Sequence, residues 1–243
     1  MKPLLILQLR PEDDTSDNEF EAFLKYGEIE ESNTHRVRIE KAGIPELDIH
    51  DYSAILVGGS PFDISTPQDK KSAIQLKIES DFERLLNQVV PEDFPFLGAC
   101  SGCGLLGNFL KTPITPKYGE TVSCISVSLT EDGVEDPLLD GFPEKIDVYV
   151  GHKEACDVVP NGAKLLTKGD YCPVQMFRVG QNVYATQFHP EADGEGFSVR
   201  INAYKEHGYF DPNEAEALMT KIKSYHTPYA QTILKRFVAR YQR

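Results

Sequence analysis

Short apolar runs alternate with helical patterns in the first part of the chain. Residues 4–9 and 52–57 are mainly apolar runs that predict buried strands, residues 37–39 alternate as a strand does, and residues 94–97 are apolar again. Before this last run, apolar residues recur at the spacing of one helix face: Ile74, Ile78, Phe82, Leu85 and Leu86. This rhythm predicts right-handed crossovers and a mostly parallel α/β sheet with helices on both faces.

The pattern changes after Leu110 to shorter and more polar strands. Strands are predicted at residues 121–129, 146–150, 164–167, 174–179 and 183–188. Pairs such as Asp132-Gly133 and Asn161-Gly162 are typical of the turns between them. We therefore expect a meander that flanks or extends the sheet.

The rest of the chain has a helical pattern from Asp193 onward, with breaks at Pro212 and Pro228. We therefore expect one domain over residues 1–192 and a C-terminal helical extension, residues 193–243, packed on it. Near the other end, the acidic residues 12–19 are interpreted as a solvated loop or a helix start. Because they follow a strand's carboxyl end, they could also border a ligand site.

Composition narrows the function classes. The 243 residues carry a net charge of −13, which argues against a nucleic-acid partner, since such proteins present a basic surface. No apolar run approaches the roughly 20 residues that cross a bilayer, and the N-terminus does not resemble a signal peptide. The five cysteines are an odd number and form no disulfide framework. We expect a protein of the reducing cytoplasm with no membrane contact.

The stretch Gly98-Ala99-Cys100-Ser101-Gly102 connects a predicted strand to a predicted helix. A sharp strand-to-helix turn strains its central residue and leaves no room for side chains two positions away, which two glycines satisfy. A thiol here would lie at a helix N-terminus, where we expect the pKa of Cys100 to be lowered. The pattern favours a cysteine nucleophile.

Two other interpretations of this stretch stay open. Cys100 could be a small buried residue, because free cysteine is among the most buried residue types. Cys100 and Cys103 could also form a redox or metal Cys-x-x-C pair. A zinc site would need a second close pair, and the other three cysteines are scattered. We expect no metal and no cofactor.

The chain offers a partner for each task that a cysteine nucleophile requires. His189, at the end of the last predicted strand, can accept the proton, and Glu191 can orient the imidazole. The backbone amides of Ser101 and Gly59 can form an oxyanion hole: the cysteine turn itself presents the Ser101 amide, and the Gly59 amide can approach because its turn has no Cβ in the way. These residues predict acyl-transfer chemistry.

These motifs resemble those of class I glutamine amidotransferases. The resemblance rests on the cysteine turn and on two further segments, residues 58–61 (Gly-Gly-Ser-Pro) and 187–191 (Gln-Phe-His-Pro-Glu), with residues 171–174 (Tyr-Cys-Pro-Val) before the latter. The amidotransferase domain of GMP synthases is the most similar type, and Gly151-His152-Lys153-Glu154 matches a stretch of it.

The resemblance implies a flavodoxin-like three-layer α/β/α fold with a mostly parallel central sheet. It implies a Cys100, His189 and Glu191 triad that hydrolyses the γ-amide of glutamine through a thioester and releases ammonia, possibly to a separate synthetase. Gly58 is the alternative to Gly59 as oxyanion donor. Gly58, Gly104, His152 and Gln187 are the implied substrate-binding residues.

One departure from the family pattern affects the expected substrate. The family usually has a glutamine at the position of Gly104, and that side chain helps to hold the substrate. We therefore keep a hydrolase of γ-glutamyl peptides or conjugates on the same triad as an alternative. A second alternative is a non-catalytic or redox-switched member of the fold, in which Cys103 forms a disulfide with Cys100.

Overall fold

A computed structural model of the chain describes residues 2–206 and 210–242. These residues form eleven strands and eight α-helices. The strands are β1 (Leu4–Gln8), β2 (Thr34–Arg38), β3 (Ala54–Val57), β4 (Phe96–Ala99), β5 (Ile114–Thr115), β6 (Glu120–Leu129), β7 (Lys145–His152), β8 (Ala155–Cys156), β9 (Ala163–Lys168), β10 (Met176–Val179) and β11 (Val183–Thr186). The helices are α1 (Asp13–Gly27), α2 (Ile39–Ala42), α3 (Ala73–Val89), α4 (Ser101–Phe109), α5 (Glu131–Val134), α6 (Gly194–Tyr204), α7 (Ala215–Lys223) and α8 (Pro228–Tyr241).

Nine strands form one mixed sheet in the order β2-β1-β3-β4-β11-β10-β9-β6-β7. The strands from β2 to β11 in this order are parallel to their neighbours, and the remaining pairs are antiparallel. The predicted α/β class and the meander that extends the sheet are confirmed. The short strands β5 and β8 pair separately and were not predicted.

Helices cover both faces of the sheet. Successive side chains of β1 point to opposite faces, and they are apolar on both. Leu4 and Ile6 pack in one cluster with residues of α1 and α8, such as Phe23 and Phe237. On the other face, Leu5 and Leu7 pack in a cluster with residues of α3 and α4. The sheet therefore forms the middle of three layers.

The acidic segment after β1 is helical rather than a solvated loop. Helix α1 begins at Asp13, and its apolar face buries Phe20 and Phe23 on the sheet. Glu19 on the same helix is fully buried, so the segment is not only a solvated charge run. The segment thus delivers a carboxylate to the carboxyl end of β1.

The C-terminal helices pack on the rest of the chain. Phe197 and Ile201 of α6 form a third cluster with Val122, Tyr149 and residues of α7. Within the described ranges, no helix combines the length and the apolar character needed to cross a membrane. The helices after Asp193 thus contribute to two clusters: α8 packs in the cluster with Leu4 and Ile6, and α6 and α7 pack in the third cluster.

Candidate active site

Cys100 occupies a strained turn between β4 and α4. Its φ of 51° and ψ of −96° lie outside the regions that side-chain-bearing residues favour. A Cβ on Gly98 would lie 2.7 Å from the carbonyl carbon of Gly102, and one on Gly102 would lie 3.1 Å from the Cβ of Val57. Close packing therefore leaves no room for a side chain at Gly98 and little room at Gly102, as the sequence pattern predicts.

Strand pairing brings the second motif to the cysteine. Strand β11 lies parallel to β4 with Thr186 opposite Ala99, and the Cys100 amide donates to the Thr186 carbonyl at 2.7 Å. The chain leaves β11 and returns through His189, whose amide donates to the carbonyl of Tyr149 at 3.0 Å. Cys100 and His189 consequently line one cavity, called here the His189 cavity, together with residues that include Arg10, Phe197 and Arg200.

His189 and Glu191 form a buried pair. The Nδ1 of His189 lies 2.8 Å from Oε1 of Glu191, and the two residues are 2% and 0% exposed. When this Nδ1 carries the proton and donates to the carboxylate, Nε2 is the unprotonated nitrogen. This geometry suits a base that receives a proton at Nε2.

Burial controls the protonation of these groups. It raises the pKa of Cys100 to about 12, although Arg10 partly opposes this. The expectation of a lowered thiol pKa is therefore wrong, because burial disfavours the charged thiolate. Burial also lowers the pKa of His189, and the Glu191 charge only partly opposes it. For Glu191, burial opposes ionisation, but the charges of His189 and Arg200 hold the carboxyl pKa well below its usual value.

The glycine turn after β3 lies against the imidazole. A Cβ on Gly59 would be 2.8 Å from Cε1 of His189, so only glycine leaves room for the ring. The Gly59 amide donates to Oε2 of Glu19 at 3.3 Å, and the Gly58 amide donates to the Leu7 carbonyl at 3.1 Å. Both amides thus have protein acceptors in this structure, and their role as oxyanion donors stays a prediction.

Ser101 is the first residue of α4, where helix geometry supplies no acceptor for the backbone amide. Its Oγ lies 2.7 Å from Oγ of Ser60 in the glycine turn. This contact joins the two segments that were predicted to provide the oxyanion hole.

The implied substrate-binding residues other than Gly58 line a different cavity from the one that contains His189. Gly104, His152 and Gln187 line a second cavity with Cys100, called here the Gly104 cavity. Gln187 is 2% exposed, and its Oε1 has no hydrogen-bond partner. A Cβ on Gly104 would approach Cδ1 of Ile64 to 3.0 Å.

His152 is not open to a ligand. Its Nδ1 lies 3.0 Å from the Glu154 carbonyl oxygen, and its Nε2 lies 3.0 Å from Oε2 of Glu120. Both ring nitrogens therefore have acceptors, and the residue contacts the cavity without offering a spare nitrogen.

A group of metal-ligand types surrounds this histidine. Glu120, His152 and Cys172 each place one donor atom within 4.8 Å of the others, and such N, O and S donors suit zinc. However, Glu120 accepts from Nε2 of Gln175 at 2.7 Å, and the Cys172 thiol contacts the Val174 carbonyl at 3.6 Å. These hydrogen bonds account for the cluster, and we assign no ion to it.

Cys103 points into the protein core. It is fully buried, and a hydrogen bond with Cys156, together with burial, raises its pKa well above the ordinary value. All five cysteines are free thiols. A Cys100–Cys103 redox pair is therefore not favoured by this arrangement.

The site contains three further charged residues, of which Arg10 and Arg200 were missed in the sequence, whereas Glu19 belongs to the acidic segment that was expected to border a ligand site. Arg10 follows β1, Glu19 lies on α1 and Arg200 lies on α6, and each is at most 4% exposed. The position of Arg10 at the carboxyl end of a central strand was a usable signal. Arg200 had no such signal, because it lies within a helical pattern that carries no motif.

Together, a mixed α/β sheet, a cysteine turn and a buried histidine–carboxylate pair define an α/β protein with a cysteine–histidine–glutamate site. Residues 20–203 match the family described as glutamine amidotransferase class-I. The chain belongs to this family.

Relatives within the family include subunits of GMP synthases, to which the chain is distantly similar. The chain is 25% identical over 158 residues to a subunit of the glutamine-hydrolysing GMP synthase of Archaeoglobus fulgidus, covering 65% of this chain and 76% of that protein. It is 27% identical over 127 residues to the corresponding protein of Pyrococcus furiosus, covering 52% of this chain and 61% of that protein.

Solved structures share the fold across nearly the whole chain. A glutamine amidotransferase from Thermotoga maritima superposes with a TM-score of 0.72 at 20% identity, covering 98% of this chain and 99% of that one. A putative GMP synthase subunit from Thermoplasma acidophilum gives a TM-score of 0.64 at 18% identity, covering 98% and 94%.

Proposed function

We propose that this protein hydrolyses the γ-amide of glutamine through Cys100, His189 and Glu191. The observation that carries the proposal is the buried His189–Glu191 pair, whose histidine lines the same cavity as a cysteine held at a positive φ. Membership of the glutamine amidotransferase family supports the same chemistry.

The proposed first half-reaction forms a thioester. The Cys100 thiol gives its proton to Nε2 of His189 as the sulfur attacks the γ-carbonyl carbon. The tetrahedral intermediate then collapses, and the nitrogen leaves as ammonia after taking the proton from the imidazolium. Glu191 remains ionised and stabilises the transient positive charge on His189.

The second half-reaction releases glutamate. His189 takes a proton from water while the oxygen attacks the thioester carbon, and the thiolate leaves and is reprotonated by the imidazolium. The amides of Ser101 and Gly59 are the proposed oxyanion donors. For Gly59 to act as an oxyanion donor, its amide has to break the hydrogen bond to Glu19 and donate to the oxyanion instead.

The Gly104 cavity is the proposed place for the amino-acid end of the substrate. Asp63 and Glu154 also line it, and such carboxylates suit an α-ammonium group. The unpartnered Oε1 of Gln187 offers a further acceptor. The cavity is only about 20 Å³, room for about one water molecule, so binding of an amino acid there requires its lining to move apart.

A γ-glutamyl peptide or conjugate hydrolase is the second candidate. Gly104 favours it, because this residue cannot make the side-chain contact with which the family usually holds glutamine. In the first candidate, the ammonia would go to a separate synthetase, a proposal suggested by the similarity to GMP synthase subunits.

The two candidates are separated by measuring glutamate release from L-glutamine and from a γ-glutamyl dipeptide. We expect turnover that Cys100→Ala abolishes. Cleavage of the dipeptide alone would select the second candidate, whereas no Cys100-dependent cleavage of either would refute both.

A further inference from the structure

Arg200 contacts the carboxylate that orients the base. Its Nη2 donates to Oε1 of Glu191 at 2.9 Å, the same oxygen that accepts from Nδ1 of His189 at 2.8 Å. Arg200 lies on α6, nine residues beyond Glu191, and reaches back into the His189 cavity. One carboxylate oxygen is thus held by two donors from different segments.

A second ion pair lies behind this contact. Oε2 of Glu19 is 3.9 Å from Nη2 of Arg200 and 2.5 Å from Nε of Arg10. Charges therefore alternate along Arg10, Glu19, Arg200 and Glu191, and none of the four residues is more than 4% exposed. Removing one member of such a buried chain leaves an uncompensated charge.

We propose that Arg200 is a positioning residue that holds Glu191 ionised and directed at Nδ1 of His189. The proposal rests on the proposed function, since it assigns a role to Arg200 only through the His189 base. With Glu191 fixed, Nδ1 keeps its proton and Nε2 stays free to accept the one from Cys100. The cation of Arg200 also disfavours a second positive charge on the nearby imidazole.

The charged and titratable groups around His189 come from several elements. Glu191 lies on its own turn, Arg200 on α6, Arg10 at the end of β1 and Cys100 at the start of α4. Glu191 raises the pKa of His189, and the two arginines lower it. Loss of the Arg200 charge is therefore expected to raise the pKa of His189.

The test compares Arg200→Met with Arg200→Lys. We expect Arg200→Met to raise the His189 pKa by about one unit, measured by NMR titration of the ring with His189→Asn to assign the signal. The pKa that defines the acid limb of the kcat/KM profile should rise by the same amount. The value of kcat should fall on the order of tenfold or more, with KM little changed. Arg200→Lys should keep the pKa close to that of the unmodified chain.

Arg178→Met is a matched control. It removes a buried arginine whose Nε lies 2.8 Å from Oδ2 of Asp136, on a strand that lines neither cavity. It should lower the melting temperature without moving the His189 pKa. Should Arg200→Met fail to fold, Arg200→Gln carries the same prediction, because it removes the charge and keeps a donor.

Two failures can be told apart. If the unmodified chain is active, but the pKa of His189 and the pKa of the acid limb of kcat/KM are unchanged in Arg200→Met or Arg200→Gln, the inference alone is overturned. An unmodified chain without Cys100-dependent cleavage of any γ-glutamyl amide would overturn the proposed function and this inference with it.

Discussion

At the scale of single residues, the protonation of Cys100 depends on its neighbour. Burial holds the thiol pKa at about 12, and burial also lowers the pKa of His189. The resting pair is therefore a neutral thiol and a neutral imidazole near pH 7. The nucleophile then forms by proton transfer to His189 during attack, and activity should fall when the pH drops below the pKa of this histidine.

We propose Gly104 as the residue at which substrate preference can be changed. Gly104→Gln restores the side chain usual in the family, and the obstacle at its Cβ is Cδ1 of Ile64, the end of a flexible side chain. We expect this variant to lower the KM for glutamine about five- to tenfold, since one hydrogen bond contributes about 1 kcal/mol. Steady-state kinetics with glutamine measures this.

The matched control is Gly104→Ala, which adds the Cβ without the amide. Its KM should stay near that of the unmodified chain or rise. Equal KM values for the two variants would show that Gly104 does not set glutamine affinity.

At the scale of secondary structure elements, the sequence predicts the strand-to-helix turn and the final strand well. Both carry a strong local signal, namely an apolar run followed by a glycine turn or by His189-Pro190. The parallel pairing of β4 with β11 then places the two motifs side by side. The pairing of these two strands therefore explains why Cys100 and His189 lie close together.

The buried charges could not be predicted in the same way. Glu19 was part of an acidic run, and Arg200 lay in a helix without any motif. Their burial depends on α1 and α6 packing beside each other, and a contact across 181 residues leaves no local pattern (200 − 19). The ion pairs between distant elements are thus the part of the site that could not be predicted from the sequence.

Helix α8 is the element that tests the proposed organisation of the chain. Phe237 is fully buried in the cluster that also contains Leu4 and Ile6 of β1. We expect Phe237→Ala to lower the free energy of unfolding by about 3–5 kcal/mol, because it opens a cavity in this core. Urea unfolding followed by circular dichroism measures the change.

Arg240→Ala on the same helix is the control. Arg240 is exposed, so the loss should stay within about 0.5 kcal/mol. Similar stability of the two variants would contradict the view that residues 193–243 share one core with residues 1–192.

At the scale of the whole molecule, the site is assembled from both ends of the chain. Arg10 comes from the segment between β1 and α1, Glu19 comes from α1, and Arg200 comes from the C-terminal helix α6. The family match, which runs from residue 20 to residue 203, includes Arg200 but not Arg10 or Glu19. Because Arg200 lies on α6, its proposed role means that the C-terminal helices contribute to catalysis as well as to packing.

The central claim is that Cys100 forms a γ-glutamyl thioester, and a rapid acid quench during turnover tests it most directly. The chain is mixed with glutamine or a γ-glutamyl dipeptide, quenched at early times and digested for peptide mass spectrometry. We predict a γ-glutamyl adduct on the peptide that contains Cys100 and no adduct in Cys100→Ala. Turnover that persists in Cys100→Ala, or an adduct located on Cys103, would contradict the account.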